Sequence, residues 1–323
     1  MLRASQFLSV VALLFLLAVA CAPAKPAFPD KPITVVVPFA AGGIQDLLGR
    51  KLADLVKSTL GQPVSVVNRA GGSGVVGTVE VLQSKPDGYN LVQASTATMA
   101  ITPHVAETPY KGPADYTPLI KIANVPFVFA VKSDAPWKTM KEALDYAKAN
   151  PKKLRVGNAG TGSTPHLLLE VLKDRAGVDM THVPFSGSGE AIPALLGGHV
   201  EALVLPGTDI ISHVRAGTAK ILGDFEEKRN PAYQDVPTMK ELGYDITRGT
   251  YHFVIAPKGT PDDVAKILHD AYKKAMDTDD YKKFAADSLL TTDYKTGADL
   301  AKELDGDYVF FADLVKKLNL NTN

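Results

Sequence analysis

The chain has 323 residues, of which 46% are hydrophobic and 22% are charged. That length can bury two lobes of ordinary size, and that composition excludes a chain that is disordered as a whole. Lys and Arg together number 35 and so do Asp and Glu, so no bulk charge attracts nucleic acid or an anionic membrane surface. Any preference for a charged partner must therefore arise from a local arrangement of residues.

The first twenty residues differ from the rest of the chain. Arg3 is followed by the apolar run FLSVVALLFLLAVA, which is too short to span a membrane comfortably and ends in small residues. Residues 1–20 are therefore predicted to be a secretory signal peptide, and the mature protein is predicted to be exported to the periplasm or the cell surface.

Cys21 is the only cysteine, and it follows the apolar run in LAVAC, which resembles the lipobox of bacterial lipoproteins. The resemblance implies a lipid anchor on Cys21. Ala18 and Ala20 also form an A-x-A cleavage site, so cleavage without lipidation is the alternative. A single cysteine excludes an internal disulfide. Residues 21–30 are rich in proline, which keeps the backbone extended, so this segment is predicted to be a tether.

Short β-branched runs alternate with segments of helical period along the rest of the chain, which is typical of an α/β fold. The run ITVVV is a predicted strand. It is followed by a stretch over residues 46–60 in which Leu48, Leu52, Leu55 and Val56 share one face, with Gly61 as the predicted C-cap. The pattern predicts strands that lead directly into helices.

Several helix ends carry capping signals. Thr139 with Glu142 forms a predicted capping box, and Thr164 is the predicted N-cap of a helix whose first residue is Pro165. The last helix is predicted to be long and amphipathic, with Gly306 as its weak point.

Three loops share one construction, in which a predicted strand is followed by a turn rich in Gly, Ser or Thr and then by a helix. They are PFAAGGIQD (38–46), GNAGTGSTPH (157–166) and PFSGSGEA (184–191). The first N–H groups of a helix have no intrahelical partner and lie at the positive end of its dipole, so such loops suit an anion. Ligands of α/β folds collect at the carboxyl ends of strands, which makes these loops the predicted site. The alternative is that each is an ordinary tight turn with a helix cap.

None of the three loops has the pattern of a phosphate site. The first lacks G-x-G-x-x-G, a Walker loop is absent, and no Arg or Lys lies within the loops. A carboxylate needs less, because each hydrogen bond to a charged group contributes about 1.5–3 kcal/mol. Three or four such bonds, less the cost of association, correspond to micromolar binding at about −8 kcal/mol. The loops therefore favour a small carboxylate held by uncharged donors, without a cofactor.

A string of motifs carries a resemblance that covers residues 31 to about 320. In chain order they are KPITVVVPFAAGG, LGQPVSVVNRAGGSGVVG, KPDGYNL, KLRVGNAGTGSTPHL, HVPFSGSGEAIPALLGGHVE and DVPTMKELGYD. Together they resemble the solute receptors of tripartite tricarboxylate transporters, the Bug family. The resemblance implies a two-lobed, hinged receptor with the type II Venus-flytrap fold. Its ligand would lie between the lobes, with one carboxylate clasped by backbone amides of the first two loops, and closure would present the loaded receptor to a membrane permease.

Matched position by position, the resemblance implies a ligand site built from four stretches of the chain. The residues are Ala40, Ala41, Gly42, Gly43 and Gln45 of the first loop, Ser95 and Thr96 of STAT, Thr161, Gly162, Ser163 and Thr164 of the second loop, and Ser186 and Gly187 of the third.

Two departures from the family pattern bear on the ligand. Ile44 and Gln45 follow the glycine pair where members commonly have a small or hydroxyl residue, which leaves one hydroxyl donor in question. The stretch LVLPGTD lacks the acidic or amide side chain that several members place near its start, which argues against a ligand with an amino group. Leu205 and Pro206 would form an apolar wall that tolerates an aromatic or aliphatic body. The ligand is predicted to be a small organic carboxylate, either a di- or tricarboxylate or an aromatic acid.

Two other functions stay open at this point. Ser163 and His166 could serve an exported hydrolase as nucleophile and base, although no G-x-S-x-G elbow surrounds the serine. A sensor that passes its closed state to a membrane kinase is the other alternative. The seven histidines form no H-E-x-x-H motif or Cys/His cluster, so no metal site is predicted.

The chain is predicted to pass between two lobes twice, near IANVPFVFAV and near GTYHFVIAP. Lobe one is predicted to hold residues 31–126 and 250–323, and lobe two residues 127–249. The prediction is a monomeric, lipid-anchored receptor that performs no chemistry, binds no nucleic acid, and delivers its ligand to integral membrane permease subunits.

Overall fold

A computed structural model of the chain describes residues 28–246, 249–318 and 320. The predicted signal peptide, the lipidation site at Cys21 and most of the predicted tether lie outside the described residues.

The first sheet contains six strands. They are β1 (Ile33–Val37), β2 (Val64–Asn68), β3 (Asn90–Ser95), β4 (Tyr116–Val125), β10 (Thr250–Pro257) and β11 (Lys295–Thr296). Their order across the sheet is β11-β4-β10-β3-β1-β2. β1 pairs in parallel with β2 and β3, whereas β10 pairs antiparallel with β3 and β4. The carboxyl ends of the parallel strands β1, β2 and β3 therefore lie side by side at the same end of the sheet.

The second sheet contains five strands. They are β5 (Phe127–Lys132), β6 (Arg155–Asn158), β7 (Thr181–Pro184), β8 (Ala202–Pro206) and β9 (Ala219–Asp224), in the order β7-β6-β8-β5-β9. β6 pairs in parallel with β7 and β8, and β5 pairs antiparallel with β8 and β9. The carboxyl ends of β6, β7 and β8 again share one edge, at which the second and third glycine loops begin.

Ten α-helices surround the sheets within the described residues. They are α1 (Ile44–Leu60), α2 (Val75–Leu82), α3 (Thr102–Val105), α4 (Met140–Ala149), α5 (Thr164–Ala176), α6 (Ser188–Leu196), α7 (Gly207–Arg215), α8 (Asp262–Asp277), α9 (Asp279–Asp287) and α10 (Gly297–Lys317). A π-helical turn, Ala97–Ile101, precedes α3. In this part of the chain, none of the helices combines the length and apolar character that crossing a membrane requires. The predicted α/β class is confirmed.

The chain changes sheet at two places. It leaves the first sheet after β4 and enters the second at β5, one residue later, and it returns between Asp224 and Thr250. β4, β5 and β10 are therefore called the crossing strands. The boundaries of the lobes themselves, 31–126 with 250–323 and 127–249, stay a prediction.

The lobes also touch away from the crossing strands. Phe311 and Leu314 of α10 are buried, and they line a cavity of about 220 Å³ together with Leu167 and Leu168 of α5. α10 otherwise packs on the first sheet, while α5 follows β6 of the second. Lys317 Nζ of α10 also lies 2.6 Å from Asp174 Oδ1 of α5, so a side contact between α5 and α10 joins the two halves of the molecule.

Of three predicted helix caps, the structure confirms one, confirms the second in part and contradicts the third. Gly61 is the left-handed C-cap of α1, as predicted. Thr139 Oγ1 accepts the N–H of Glu142 at 3.2 Å, but the Glu142 carboxylate accepts from Lys138 N–H at 2.6 Å, so the capping box is not reciprocal.

The N-cap of α5 is Ser163, one residue before the predicted Thr164. Ser163 has extended backbone angles and its Oγ accepts the N–H of His166 at 3.4 Å, whereas Thr164 is already helical. The prediction of Thr164 as the cap is therefore wrong.

The exposed glycine within α10 offers a test of helix stability. Gly306 is exposed and a Cβ there would meet no heavy atom within 4 Å. Gly306→Ala should raise the free energy of unfolding by about 0.5–1 kcal/mol, because alanine loses less backbone entropy in a helix. Urea unfolding of the two proteins checks this. An unchanged or lower midpoint would show that α10 is not regular helix at this position.

Candidate ligand-binding site

The first glycine loop leads from β1 into α1. Gly43 is the N-cap with φ −76° and ψ 166°, and Gly42 has φ +89°, a left-handed conformation that favours glycine. A Cβ on either residue would meet no heavy atom within 4 Å. Ala40 and Ala41 are exposed as well. The paired glycines therefore leave a stretch of backbone uncovered at the N-terminus of a 17-residue helix.

Asp46 occupies one of the amides of this loop. Gly42 N–H donates to Asp46 Oδ2 at 2.9 Å, Asn68 Nδ2 donates to Asp46 Oδ1 at 2.9 Å, and Arg50 pairs with the same carboxylate. Burial alone would raise the pKa of Asp46, but the hydrogen bonds from Arg50, Gly42 and Asn68 outweigh it and hold the pKa below its ordinary value. By their position in the first turn, the amides that follow Gly42 have no intrahelical acceptor.

Gln45 is buried, and its side chain ties the first loop to the sheet. Gln45 Nε2 donates to the backbone oxygen of Gln93 in β3, and Gln93 Nε2 donates to the Gln45 oxygen at 2.7 Å. Both side chains are more than nine-tenths buried. Gln45 is predicted to contact the ligand, but its side-chain amide already donates to Gln93 inside the lobe.

The second loop alternates left-handed glycines. Gly160 has φ +97° and Gly162 has φ +78°. Gly160 N–H donates to Asn158 Oδ1 at 3.2 Å, and Gly162 N–H donates to His166 Nδ1 at 3.1 Å. Ser163 Oγ donates to the Gly160 oxygen at 2.6 Å. Two of the loop amides are therefore directed inward, and Thr161 between them is exposed.

The third loop is more open. Ser186 N–H donates to Glu190 Oε2 at 3.2 Å, and Ser186 itself is exposed. A Cβ on Gly187 or Gly189 would meet no heavy atom within 4 Å. The backbone at the N-terminus of α6 is thus uncovered in the same way as that of α1.

Ser95 and Thr96, at the end of β3, are almost completely buried. Thr96 Oγ1 accepts the N–H of Tyr251 at 3.2 Å, and Ser95 Oγ lies 3.3 Å from Thr98 Oγ1. Their hydroxyls are therefore used within the first lobe, where they join β3 to β10 and to the π-helical turn.

One hydrogen bond between the lobes brings two of the predicted stretches together. Thr250 Oγ1 at the start of β10 donates to Thr164 Oγ1 at the start of α5, over 3.0 Å. The next residue, Tyr251, is bonded to Thr96. The end of β3 and the GTGST loop are thus connected through the second crossing of the chain.

A sequence profile for the tripartite tricarboxylate transporter family receptor, TctC, matches residues 48–320. The chain belongs to this family. The receptor is 37% identical over 290 residues to the UPF0065 protein in the gbd 5′ region of Cupriavidus necator. The aligned region covers 90% of this chain and 86% of that protein. It is 33% identical over 255 residues to BugT of Bordetella pertussis, over 77% of each chain. The predicted family is confirmed.

Solved structures with the same fold include receptors of this family. A TctC solute-binding protein from Polaromonas has a TM-score of 0.80 at 32% identity and covers 90% of this chain and 99% of that one. MatC from Rhodopseudomonas palustris with bound malate has a TM-score of 0.73 at 29% identity, over 89% and 100% of the two chains. An R. palustris protein with adipate has a TM-score of 0.76 at 27% identity, over 90% and 97%. The predicted two-lobed fold is confirmed.

The prediction that the chain is not an enzyme is confirmed, since its family and structural neighbours are substrate-binding receptors. The geometry of the receptor agrees. Ser163 Oγ donates to the Gly160 oxygen, and His166 Nδ1 accepts from Gly162 N–H, so the serine hydroxyl and the imidazole are engaged with separate backbone groups. The arrangement lacks the hydrogen bond between nucleophile and base that a hydrolase needs.

Of the two residues predicted to form an apolar wall, the structure exposes only Pro206 in part and buries Leu205. Leu205 is 2% exposed and packs in the core of the second sheet, so its side chain faces other core residues. Pro206, at the end of β8, is partly exposed. Within the described residues, no group of three or more His, Cys, Asp or Glu side chains is placed to hold a metal ion.

A cluster of carboxylates and amines lies on the other side of the crossing strands. In each sheet the strands that carry the glycine loops lie on one side of the crossing strands, and β11 and β9 lie on the other. On that side the Lys121 ammonium is 2% exposed and lies 2.6 Å from Asp293 and 3.0 Å from Glu303. Nearby, the Glu226 carboxylate accepts from Thr291 Oγ1 at 3.3 Å.

Burial raises the pKa of Glu226 in this cluster and that of its neighbour Asp224. Burial raises the pKa of Glu226 to about 7, and repulsion from Asp224 contributes. Burial also raises the pKa of Asp224 to about 6. Because folding favours the protonated form of each, these groups cost stability when they are ionised.

Replacing Glu226 by Gln should therefore stabilise the receptor in a pH-dependent way. The folded-state pKa of about 7 lies above the ordinary value of 4.5, so the penalty in the parent is absent below 4.5 and complete above 7. Glu226→Gln should raise the free energy of unfolding by on the order of 2 kcal/mol at pH 8 and change it little at pH 4. Urea unfolding at both pH values measures the difference.

Glu227→Gln is the matched control for this measurement. The hydrogen bond from Lys240 holds the pKa of the exposed Glu227 below its ordinary value, so its replacement should give no gain at pH 8. An equal effect of Glu226→Gln at both pH values would contradict the assignment of a buried, protonated carboxyl.

Proposed function

We propose that the protein is an exported receptor that captures a small organic carboxylate between its lobes and delivers it to a tripartite tricarboxylate-type membrane permease. Membership of the receptor family supports this function. The neighbours with bound malate and bound adipate support a small carboxylate as the ligand. Within that class, a di- or tricarboxylate or an aromatic acid is proposed.

The observation that carries this proposal is the uncovered backbone at three helix N-termini. A Cβ on Gly43, Gly162 or Gly187 would meet no heavy atom within 4 Å, and each residue lies next to the start of a helix. No Arg or Lys lies within the loops, so an anion there would be held by backbone amides and helix dipoles. Such donors match the charge and size of one carboxylate.

The proposed contacts divide into two groups. The loop backbones at residues 40–43, 161–164 and 186–187 are proposed to hold the ligand, whereas Gln45, Ser95 and Thr96 support the loops through their buried hydrogen bonds. The first loop belongs to one sheet and the other two loops to the second sheet. A carboxylate bound by both favours the closed arrangement, because a ligand shifts a conformational equilibrium by its differential affinity for the two states.

The proposed location is the periplasm, where the neighbour BugD is described as a binding protein. An anchor through a lipid on Cys21 and a tether over residues 21–30 would keep the receptor, proposed to be a monomer, close to its permease. Delivery to a membrane kinase is the alternative for the partner, and carboxylate binding is common to both.

A panel of small acids tests the ligand class. The purified receptor should be stabilised by free carboxylates such as malate, adipate, citrate or benzoate, and a ligand present at 100 times its Kd should add about 2.7 kcal/mol to the free energy of unfolding. Thermal unfolding with each compound measures this. Dimethyl adipate is the matched control, since it keeps the carbon skeleton of adipate without its charge.

Three outcomes of the panel would contradict the proposal. They are stabilisation by dimethyl adipate equal to that by adipate, preference for amino acids over plain acids, and turnover of the bound compound.

A side chain at Gly43 should block the first loop. Gly43 has an ordinary φ of −76° and open space around its Cβ position, so Gly43→Leu should leave the melting temperature of the free receptor nearly unchanged. Its leucine would cover the backbone amides, and the loss of one or two charge-assisted hydrogen bonds weakens binding by about tenfold or more. Calorimetric titration with the best acid of the panel measures this.

Gly306→Leu serves as the control, because this glycine is exposed on α10 and also has open space around it. Unchanged affinity of Gly43→Leu would remove the first loop from the site.

A further inference from the structure

The three glycine loops share a feature beyond their sequence pattern. In each, one backbone N–H donates to the side chain four residues further on, within the first turn of the helix. The pairs are Gly42 with Asp46, Gly162 with His166, and Ser186 with Glu190, over 2.9, 3.1 and 3.2 Å. Two of these acceptors are carboxylates, and the acceptor of the second loop is an imidazole.

His166 is the innermost member of a buried group. It is 5% exposed, and its ring stacks on that of His182 with centroids 3.9 Å apart. His182 Nε2 lies 2.9 Å from Asn158 Oδ1, and the same oxygen accepts Gly160 N–H at 3.2 Å. Asn158, His182 and His166 thus tie the second loop to β6 and β7 at both of its left-handed glycines.

A hydrogen bond also indicates which nitrogen of His166 carries the proton, and burial lowers the pKa of both rings. His166 Nδ1 accepts an N–H, so a neutral His166 carries its proton on Nε2, which lies 3.8 Å from a Glu170 oxygen. Burial lowers the pKa of His166 to about 4, and repulsion from His182 and Lys173 adds to this. Burial lowers the pKa of His182 too, although Glu170 opposes the shift. His166 is therefore neutral at pH 7.

We propose that His166 is a positioning residue for the ligand carboxylate, and that it acts as the uncharged acceptor that fixes the second loop. This inference rests on the proposed function. Gly162 must hold a left-handed conformation for the loop to present its remaining amides, and the bond to His166 Nδ1 secures it. A carboxylate at position 166 would make the same bond as Asp46 does in the first loop. The charge of Asp46 is paired with Arg50, whereas an added charge at position 166 would repel an anionic ligand.

Three substitutions separate the acceptor from its charge. His166→Asn keeps a neutral acceptor, His166→Asp keeps an acceptor and adds a negative charge, and His166→Leu removes the acceptor. The affinity for adipate, measured by calorimetric titration, should stay within about threefold for Asn and fall by about tenfold for Leu. For Asp it should fall by about tenfold or more at low ionic strength, and the loss should shrink in 0.5 M salt.

His199→Leu is the matched control, because this histidine is exposed in the turn after α6 and its replacement should leave the affinity unchanged. Wild-type affinity in His166→Asp or in His166→Leu would overturn the inference. Equal losses in Asn, Asp and Leu, without salt dependence, would reduce His166 to a packing residue and overturn it as well.

A measurement without ligand separates this inference from the proposed function. Long-range ¹H–¹⁵N spectra of the free receptor at pH 7 should show His166 as the Nε2–H tautomer, and exchange of the Gly162 amide should be slow in the parent, Asn and Asp proteins and faster in Leu. The Nδ1–H tautomer, or equal exchange in all four, would overturn the inference. If the parent binds none of the acids of the panel while these spectra agree, the proposed ligand class is wrong and the role of His166 in the loop still holds.

Discussion

The structure depends on one constraint of the polypeptide backbone: the first amides of a helix have no acceptor of their own. In this receptor the constraint recurs at α1, α5 and α6, which all begin at the carboxyl end of a parallel strand. Each loop directs one amide to the side chain four residues on, and the second loop directs another to Asn158 Oδ1. The first amides of each helix still lack a carbonyl acceptor within the helix. The proposed anion site uses this arrangement and needs no positively charged side chain.

The same constraint explains why the supporting residues are buried. Backbone amides can hold a ligand in one geometry only if the loop that bears them is rigid. Gln45 and Gln93 fasten the first loop to β3, and Asn158 and His182 fasten the second to the sheet. Residues of this kind are polar, conformationally committed and removed from the ligand, so their loss would change affinity without removing a direct contact.

Much of the fold could be predicted from the sequence, because it is governed by local patterns. The period of α1 and its C-cap at Gly61 are readable from short stretches, and so are the glycine loops after β1, β6 and β7. The N-cap of α5 was missed by one residue because Ser163 and Thr164 are both good caps, and only the position of Ser163 Oγ below the His166 amide decides between them.

The rest depends on contacts between distant parts of the chain. Gln45 pairs with Gln93, which lies 48 positions later, and Thr250 bonds to Thr164, which lies 86 positions earlier. No pattern in the sequence indicates either contact. The buried carboxyl of Glu226 was also missed, since its neighbours come from β4, from the segment after α9 and from β9. The ligand residues matched by family resemblance stay a prediction, although the structure shows which of them have uncovered backbone.

The side contact between α5 and α10 has a consequence for how the halves can move. If only the two places where the chain changes sheet joined the halves, one half could both swing towards the other and rotate about the direction of the crossing strands. A further point of attachment, where Lys317 of α10 pairs with Asp174 of α5, lies away from the crossing strands and opposes the rotation. The relative position of the two halves is then described mainly by a single angle.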